Sequence, residues 1–195
     1  MLWDYRTPGI PDEMFDRLEQ VPITKEDVRA LVISKLRLKK NSSAIDVGCG
    51  SGSITVEICL QTKGDKVYAI DSDEKAVDLT RRNLLKFDAK AEVIFSKAQD
   101  ILPLLPHVDA IVIGGTSGEV EKIISMCIER LNRGGRIVID TVLIETMYKA
   151  VTTINQANLE EVDITQAIIA KARKVVTGTM MLARNPIMII SATKL

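Results

Sequence analysis

The residues best placed to do chemistry are Asp46, Gly48, Cys49, Gly50, Ser51, Gly52 and, some twenty positions on, Asp71. Glycines at 48, 50 and 52 let a backbone turn tightly and approach a ligand closely. An acid that closes the following strand, as Asp71 does in Val67-Tyr68-Ala69-Ile70-Asp71, can accept hydrogen bonds from both hydroxyls of a ribose. A nucleoside ligand follows from that pair of features.

The spacing distinguishes between nucleosides. Dinucleotide folds use G-x-G-x-x-G, which aims a helix N-terminus at a pyrophosphate. Here the pattern is G-x-G-x-G with an acid two residues ahead. S-adenosylmethionine has no phosphate, and its ammonium group suits an anion such as Asp46 near the first glycines. The expected cofactor is therefore S-adenosylmethionine.

These residues need strands and helices to position them. Apolar runs suited to strands occur at 44–47, 66–70, 91–95, 109–113 and 136–142. Helices are expected from Thr24, capped by Thr24 with Asp27 three residues later, at about 53–61, from an Asp73 cap to Phe87, in a short turn at 100–105, from a Ser117 cap to Leu131, and at 145–156. Asn132-Arg133-Gly134-Gly135 should stop the fifth of these with a left-handed cap. The tail reads as two long strands, 159–169 and 179–191, around Lys171-Ala172-Arg173-Lys174. Five strand–helix alternations require a mostly parallel sheet with helices on both faces, and the last two strands should pair antiparallel. In such a sheet ligands bind beyond the carboxyl ends of the strands. Gly48 to Gly52, Asp71, the loop after Phe95 and Gly114-Gly115 all fall at that edge.

Composition narrows the class. The chain has 195 residues, 46% hydrophobic, enough for one domain with a substantial core, residues 1–22 forming an irregular arm. No apolar run is long enough to span a bilayer, and the first residues resemble no signal peptide, so a cytoplasmic protein without a membrane partner is expected. Three cysteines without a C-x-x-C pair and one histidine, His107 in a loop, give no metal set. A net charge of zero disfavours a nucleic-acid partner.

The layout resembles the class I, seven-stranded S-adenosylmethionine-dependent methyltransferases, a Rossmann-like α/β fold, from about residue 24 to the end. Several segments are more specifically similar to the cobalamin-pathway (vitamin B12) family that methylates and decarboxylates cobalt-precorrin-6B, the CbiT family. They are Gly9-Ile10-Pro11-Asp12, Ile23 to Ala30, Asp46 to Gly52, Ile113 to Gly118, Leu143-Ile144-Glu145-Thr146, and Gly178 to Pro186. The resemblance implies methyl transfer to carbon 15 of a tetrapyrrole, loss of the ring C acetate as carbon dioxide to give cobalt-precorrin-7, and a homotetramer. It adds Thr24 and Gly114 to the cofactor contacts, and Gly115, Thr116, Lys171, Arg173 and Arg184 to a cradle for the polycarboxylate substrate. Where the family pattern has Gly-Asp-Ala, this chain has Ser96-Lys97-Ala98, so adenine is expected on the backbone around Ala98 and on Gln99. No triad is present; Glu145 and Asp12 are the candidate proton carriers, each with a structural alternative as a helix-start acid or an arm acid in solvent. A methyltransferase acting on tRNA or on isoaspartyl protein would share the cofactor pattern, as would a non-catalytic cofactor-binding module.

Overall fold

The computed structural model describes residues 2–64 and 66–195. Seven strands form one sheet in the order β3-β2-β1-β4-β5-β9-β6. They are β1 (Ala44–Val47), β2 (Val67–Asp71), β3 (Glu92–Phe95), β4 (Val108–Ile113), β5 (Leu131–Thr141), β6 (Leu159–Ala167) and β9 (Ile187–Lys194). β1 to β5 pair parallel, and β9 lies antiparallel between β5 and β6. The connecting helices are α1 (Glu26–Leu36), α2 (Ser53–Thr62), α3 (Glu74–Lys86), α4 (Ala98–Ile101), α5 (Val120–Arg130) and α6 (Ile144–Gln156).

The apolar runs of β4 and β5 have to be buried on both faces, and they are. Val112 and Val138 face a core layer shared with Val28, Val32 and Ile58. Ile111, Ile113, Ile137 and Ile139 face a second layer with Ile123, Ile124 and Ile154. Alternation along the strands thus puts α1 and α2 on one face and α5 and α6 on the other.

The arm is pinned by buried charge. Glu57 on α2 accepts from the backbone N–H groups of Gly9 and Ile10, each at 3.0 Å, and from Arg29 Nε at 2.7 Å. Arg29 also donates to Asp12 at 3.2 Å and to the carbonyls of Thr24 and Ile10, and its guanidinium lies 4.7 Å from the Phe15 ring centroid.

Several expectations change here. α1 is not capped by Thr24: Lys25 is its N-cap and makes no side-chain capping bond. Asp12 takes over, its Oδ1 accepting from Glu26 N at 3.0 Å while Glu26 Oε2 accepts from Asp12 N. Ser117 is left-handed, with φ 47°, and α5 starts later, with Glu119 as N-cap. α5 ends in extended backbone at Leu131 rather than in a left-handed cap, because β5 begins there and Asn132–Gly135 form an irregularity within the strand. The tail holds four strands. Pro186 has no N–H for a ladder, and 184–186 separate β8 (Gly178–Ala183) from β9. β7 (Ala170–Val175) and β8 form a separate antiparallel ribbon.

Candidate active site

The glycine turn is held from three sides. The Gly50 N–H donates to Asp71 Oδ2 at 2.9 Å, and Asp73 N donates to Asp71 Oδ1 at 3.0 Å. From α3, Thr80 Oγ1 donates to the Gly50 carbonyl at 3.0 Å and Asn83 Nδ2 to the Ser51 carbonyl at 2.8 Å. From the arm, the Pro22 carbonyl accepts from Ser51 N at 3.2 Å. Asp73 caps α3 as expected, accepting from Lys75 N at 2.9 Å. Backbone conformation and close approach require glycine at 48, 50 and 52. At Gly48 (φ +76°) a Cβ would lie 2.7 Å from Gly115 N, and at Gly50 (φ +55°) it would lie 2.9 Å from the Pro22 carbonyl oxygen.

A cleft of about 400 Å³ opens at the carboxyl ends of β1, β2 and β4, within the usual size of small-molecule sites. Of the residues singled out from the sequence, Gly48, Gly50, Asp71, Ala98, Gln99, Gly114, Gly115 and Thr116 line it. Each Asp71 oxygen has one backbone partner, and a carboxylate can accept about four bonds, so it retains capacity for a diol in the cleft. That capacity, beside a turn where no side chain intervenes, fits a ribose. Pro22, Ser72, Ser96 and Lys97 also form the wall.

Cys49, Ser51 and Gly52 lie behind the turn rather than in the wall, and burial pushes the Cys49 thiol up. Asp46 is also behind it, 1% exposed, with Thr55 Oγ1 donating to it at 2.5 Å. Direct contact with an ammonium in the cleft is not what this placement provides. Thr24 does not line the cleft; its carbonyl serves Arg29.

The two proton-carrier candidates lie apart. Glu145 is exposed in the first turn of α6 and lines neither this cleft nor the hollow beside it. Asp12, far from being an arm acid in solvent, is 5% exposed and tied to Arg29 and Lys25. Lys171, Arg173 and Arg184 do not line the cavities either. Lys171 binds Glu26 and Asp27, which hold its ammonium pKa above the ordinary range, and Arg184 Nη1 lies 3.8 Å from Asp27. Arg173 is exposed on β7, in register with Met180. His107 is exposed in its loop. Among the described residues, no three or more His, Cys, Asp or Glu side chains gather as a metal cluster.

One group escaped the sequence reading. Asp140, at the carboxyl end of β5, is 9% exposed, and its Oδ1 has no hydrogen-bond partner among the described residues. The available signal was an acid ending the apolar run Ile137-Val138-Ile139, at the edge where ligands bind. Burial pushes both Asp46 and Asp140 up to about 7, with Thr55 opposing the shift at Asp46 and Asp140 adding to it. Between about pH 4 and pH 7 the folded chain therefore holds protons at these sites that the unfolded chain has lost, so stability should fall as pH rises through that window. Denaturant titrations at pH 4.5 and 7.5 check this: relative to the parent, an Asp46→Asn/Asp140→Asn variant should lose less stability across that range.

A mostly parallel sheet with one antiparallel strand, and an acid at the end of β2 beside a glycine turn, defines the class I methyltransferase fold. A Thermotoga maritima S-adenosylmethionine-dependent O-methyltransferase superposes at a TM-score of 0.76 with 19% identity, covering 91% of this chain and 68% of that one. The chain belongs to the precorrin methyltransferase domain family, whose model matches residues 13–194. A Saccharolobus solfataricus protein named "Probable cobalt-precorrin-6B C(15)-methyltransferase (decarboxylating)" is 48% identical over all of both chains. The crystal structure described as precorrin 8W decarboxylase from Methanobacterium thermoautotrophicum has a TM-score of 0.89 and 34% identity, covering 94% of this chain and 98% of that one.

Proposed function

We propose that this chain carries a methyl group from S-adenosylmethionine to carbon 15 of cobalt-precorrin-6B and removes the ring C acetate carboxyl as carbon dioxide, giving cobalt-precorrin-7. The observation that carries the reading is one continuous wall, from Asp71 through Gly48 and Gly50 to Gly114-Gly115-Thr116, in a chain of this family. The cofactor, when bound, would supply an electrophilic sulfonium methyl, with the neutral thioether as leaving group.

The chain's own contribution is positioning, which lowers the barrier most when the reacting atoms are held in line at near-attack distance. Asp71 would grip the ribose diol, and Gln99 with the backbone at Ala98 would hold adenine. Gly114 and Gly115 leave the region of the transferred methyl free of side chains, so that a flat macrocycle can approach. Completing substitution at carbon 15 releases one proton. Decarboxylation leaves an electron pair in the macrocycle, and the former methylene carbon takes up one proton.

Incubation with cobalt-precorrin-6B and the methyl donor should yield a product with one methyl gained and one carbon dioxide lost by mass spectrometry. An unchanged macrocycle alongside methylated bulk tRNA would overturn the reading. Calorimetry with S-adenosylhomocysteine should show binding.

We further infer that the chain acts as one domain and self-associates, as a tetramer, through the β7–β8 ribbon. A two-stranded ribbon is marginal alone, and this one exposes Val175, Val176, Met180, Met181 and Leu182. Met181→Glu with Leu182→Glu should move the light-scattering mass toward that of a single chain; an unaltered mass would contradict this. A cytoplasmic location accords with three buried free cysteines. Among the described residues, no helix is long and apolar enough to cross a membrane.

A further inference from the structure

Next to the cofactor cleft lies a hollow of about 280 Å³, lined by Ile113 to Gly118, Ile139, Asp140, Thr141, Leu143 and Thr146. The two share the Gly114–Ser117 turn. Whatever fills the hollow sits against the same backbone as the cofactor's reactive end. Leu143 in its lining is exposed, as are its chain neighbours Val142 and Ile144, an apolar surface that suits a flat conjugated ring. Beside four hydroxyl side chains its lining has one ionisable group, Asp140, whose buried Oδ1 has no hydrogen-bond partner among the described residues. A buried polar atom without a partner is costly and calls for a ligand group.

We propose that Asp140 is a substrate-contacting residue, acting as a neutral carboxylic acid that donates a hydrogen bond to a carboxylate of the tetrapyrrole seated in this hollow. The inference rests on the tetrapyrrole reading given above. A carboxylate at this point would repel an anionic substrate, whereas a carboxylic acid supplies the donor that the substrate needs.

The surroundings offer the group no neutralising cation. The other residues lining the hollow carry no charge. Just beyond β4, Gly114 presents only backbone, and from β9 the residue in register is Ile189. From β1, the group on the same sheet face is Asp46, an acid and not a cation. On α1, which packs on that face, Arg29 is bound to Glu57 and Asp12, and Asp27 is paired with Lys171 and Arg184. On α6, Glu145 is exposed at the helix start. Burial accordingly pushes Asp140 up to about 7.

The test is direct titration of the protein, saturated with S-adenosylhomocysteine, with cobalt-precorrin-6B, followed by absorbance at pH 6 and pH 8. The parent should bind more weakly at pH 8, where the acid ionises. Asp140→Asn keeps a neutral donor of the same shape; it should bind within about twofold of the parent at pH 6 and lose that part of the pH dependence. Asp140→Leu should weaken macrocycle binding by about tenfold or more, with S-adenosylhomocysteine affinity and melting temperature close to the parent's. Macrocycle affinity unchanged in Asp140→Leu, or as damaged in Asp140→Asn as in Asp140→Leu, would overturn the assignment while leaving the tetrapyrrole reading intact. A parent that binds no macrocycle would remove both.

Discussion

Arg29→Met should lower the unfolding free energy by about 3–5 kcal/mol, because it strands buried carboxylates. Arg29 is fully buried and serves Glu57, Asp12 and two backbone carbonyls at once. Its methionine replacement fills much of the same volume but satisfies none of them. In a chain of this size the melting temperature should drop by on the order of 10 °C. The arm is what Arg29 secures, and the arm carries Pro22, which lines the cleft and whose carbonyl braces the glycine turn. Cofactor affinity should therefore fall alongside stability. Adding Glu57→Gln to the Arg29→Met variant removes one of the stranded charges and should recover part of the loss. Differential scanning calorimetry of both variants tests this, and a single variant as stable as the parent would show that the cluster does not hold the arm.

The second large effect concerns Asp71. Asp71→Ala should weaken binding of S-adenosylmethionine by about a hundredfold, the loss expected for two hydrogen bonds to an ionised acceptor. Two contributions are separable. The carboxylate accepts from Gly50 N and Asp73 N, which shapes the turn, and it faces the cleft, where a diol would bind. A cofactor analogue lacking the ribose 2′-hydroxyl separates them: it should bind the parent more weakly than the intact cofactor, yet show a smaller drop on going to Asp71→Ala. Calorimetry yields all four affinities. Equal drops for both ligands would mean that Asp71 acts on the turn alone.

Much of this arrangement was readable from residue types because it is local. The strands that became β1 to β5 announce themselves as apolar runs, the glycine spacing marks the turn, and Asp73 caps the helix that follows it. Features that depend on distant parts of the chain were not readable. Asp12 caps α1 from fourteen residues away, and Glu57 on α2 bonds the arm through Gly9 and Ile10. Nothing in a local window distinguishes such acids from solvated ones, which is why Asp12 stood as a candidate proton carrier. Lys171 and Arg184 have the residue types a polycarboxylate cradle needs, but Glu26 and Asp27 engage them. The tail's apolar pattern suited two long strands, whereas Pro186 and the ribbon's own pairing divide it into four. Asp140 was hidden for another reason: its character comes from burial without a partner, a property of the assembled site.

Methyl transfer to one carbon of one macrocycle is the centre of the account. The measurement closest to it is the carbon-13 NMR spectrum of the product formed from cobalt-precorrin-6B and S-adenosylmethionine labelled in its methyl group. A single enriched methyl signal is expected, assigned to carbon 15, with the ring C acetate replaced by an unlabelled methyl. Label at any other ring carbon, or a macrocycle that carries none, would contradict it.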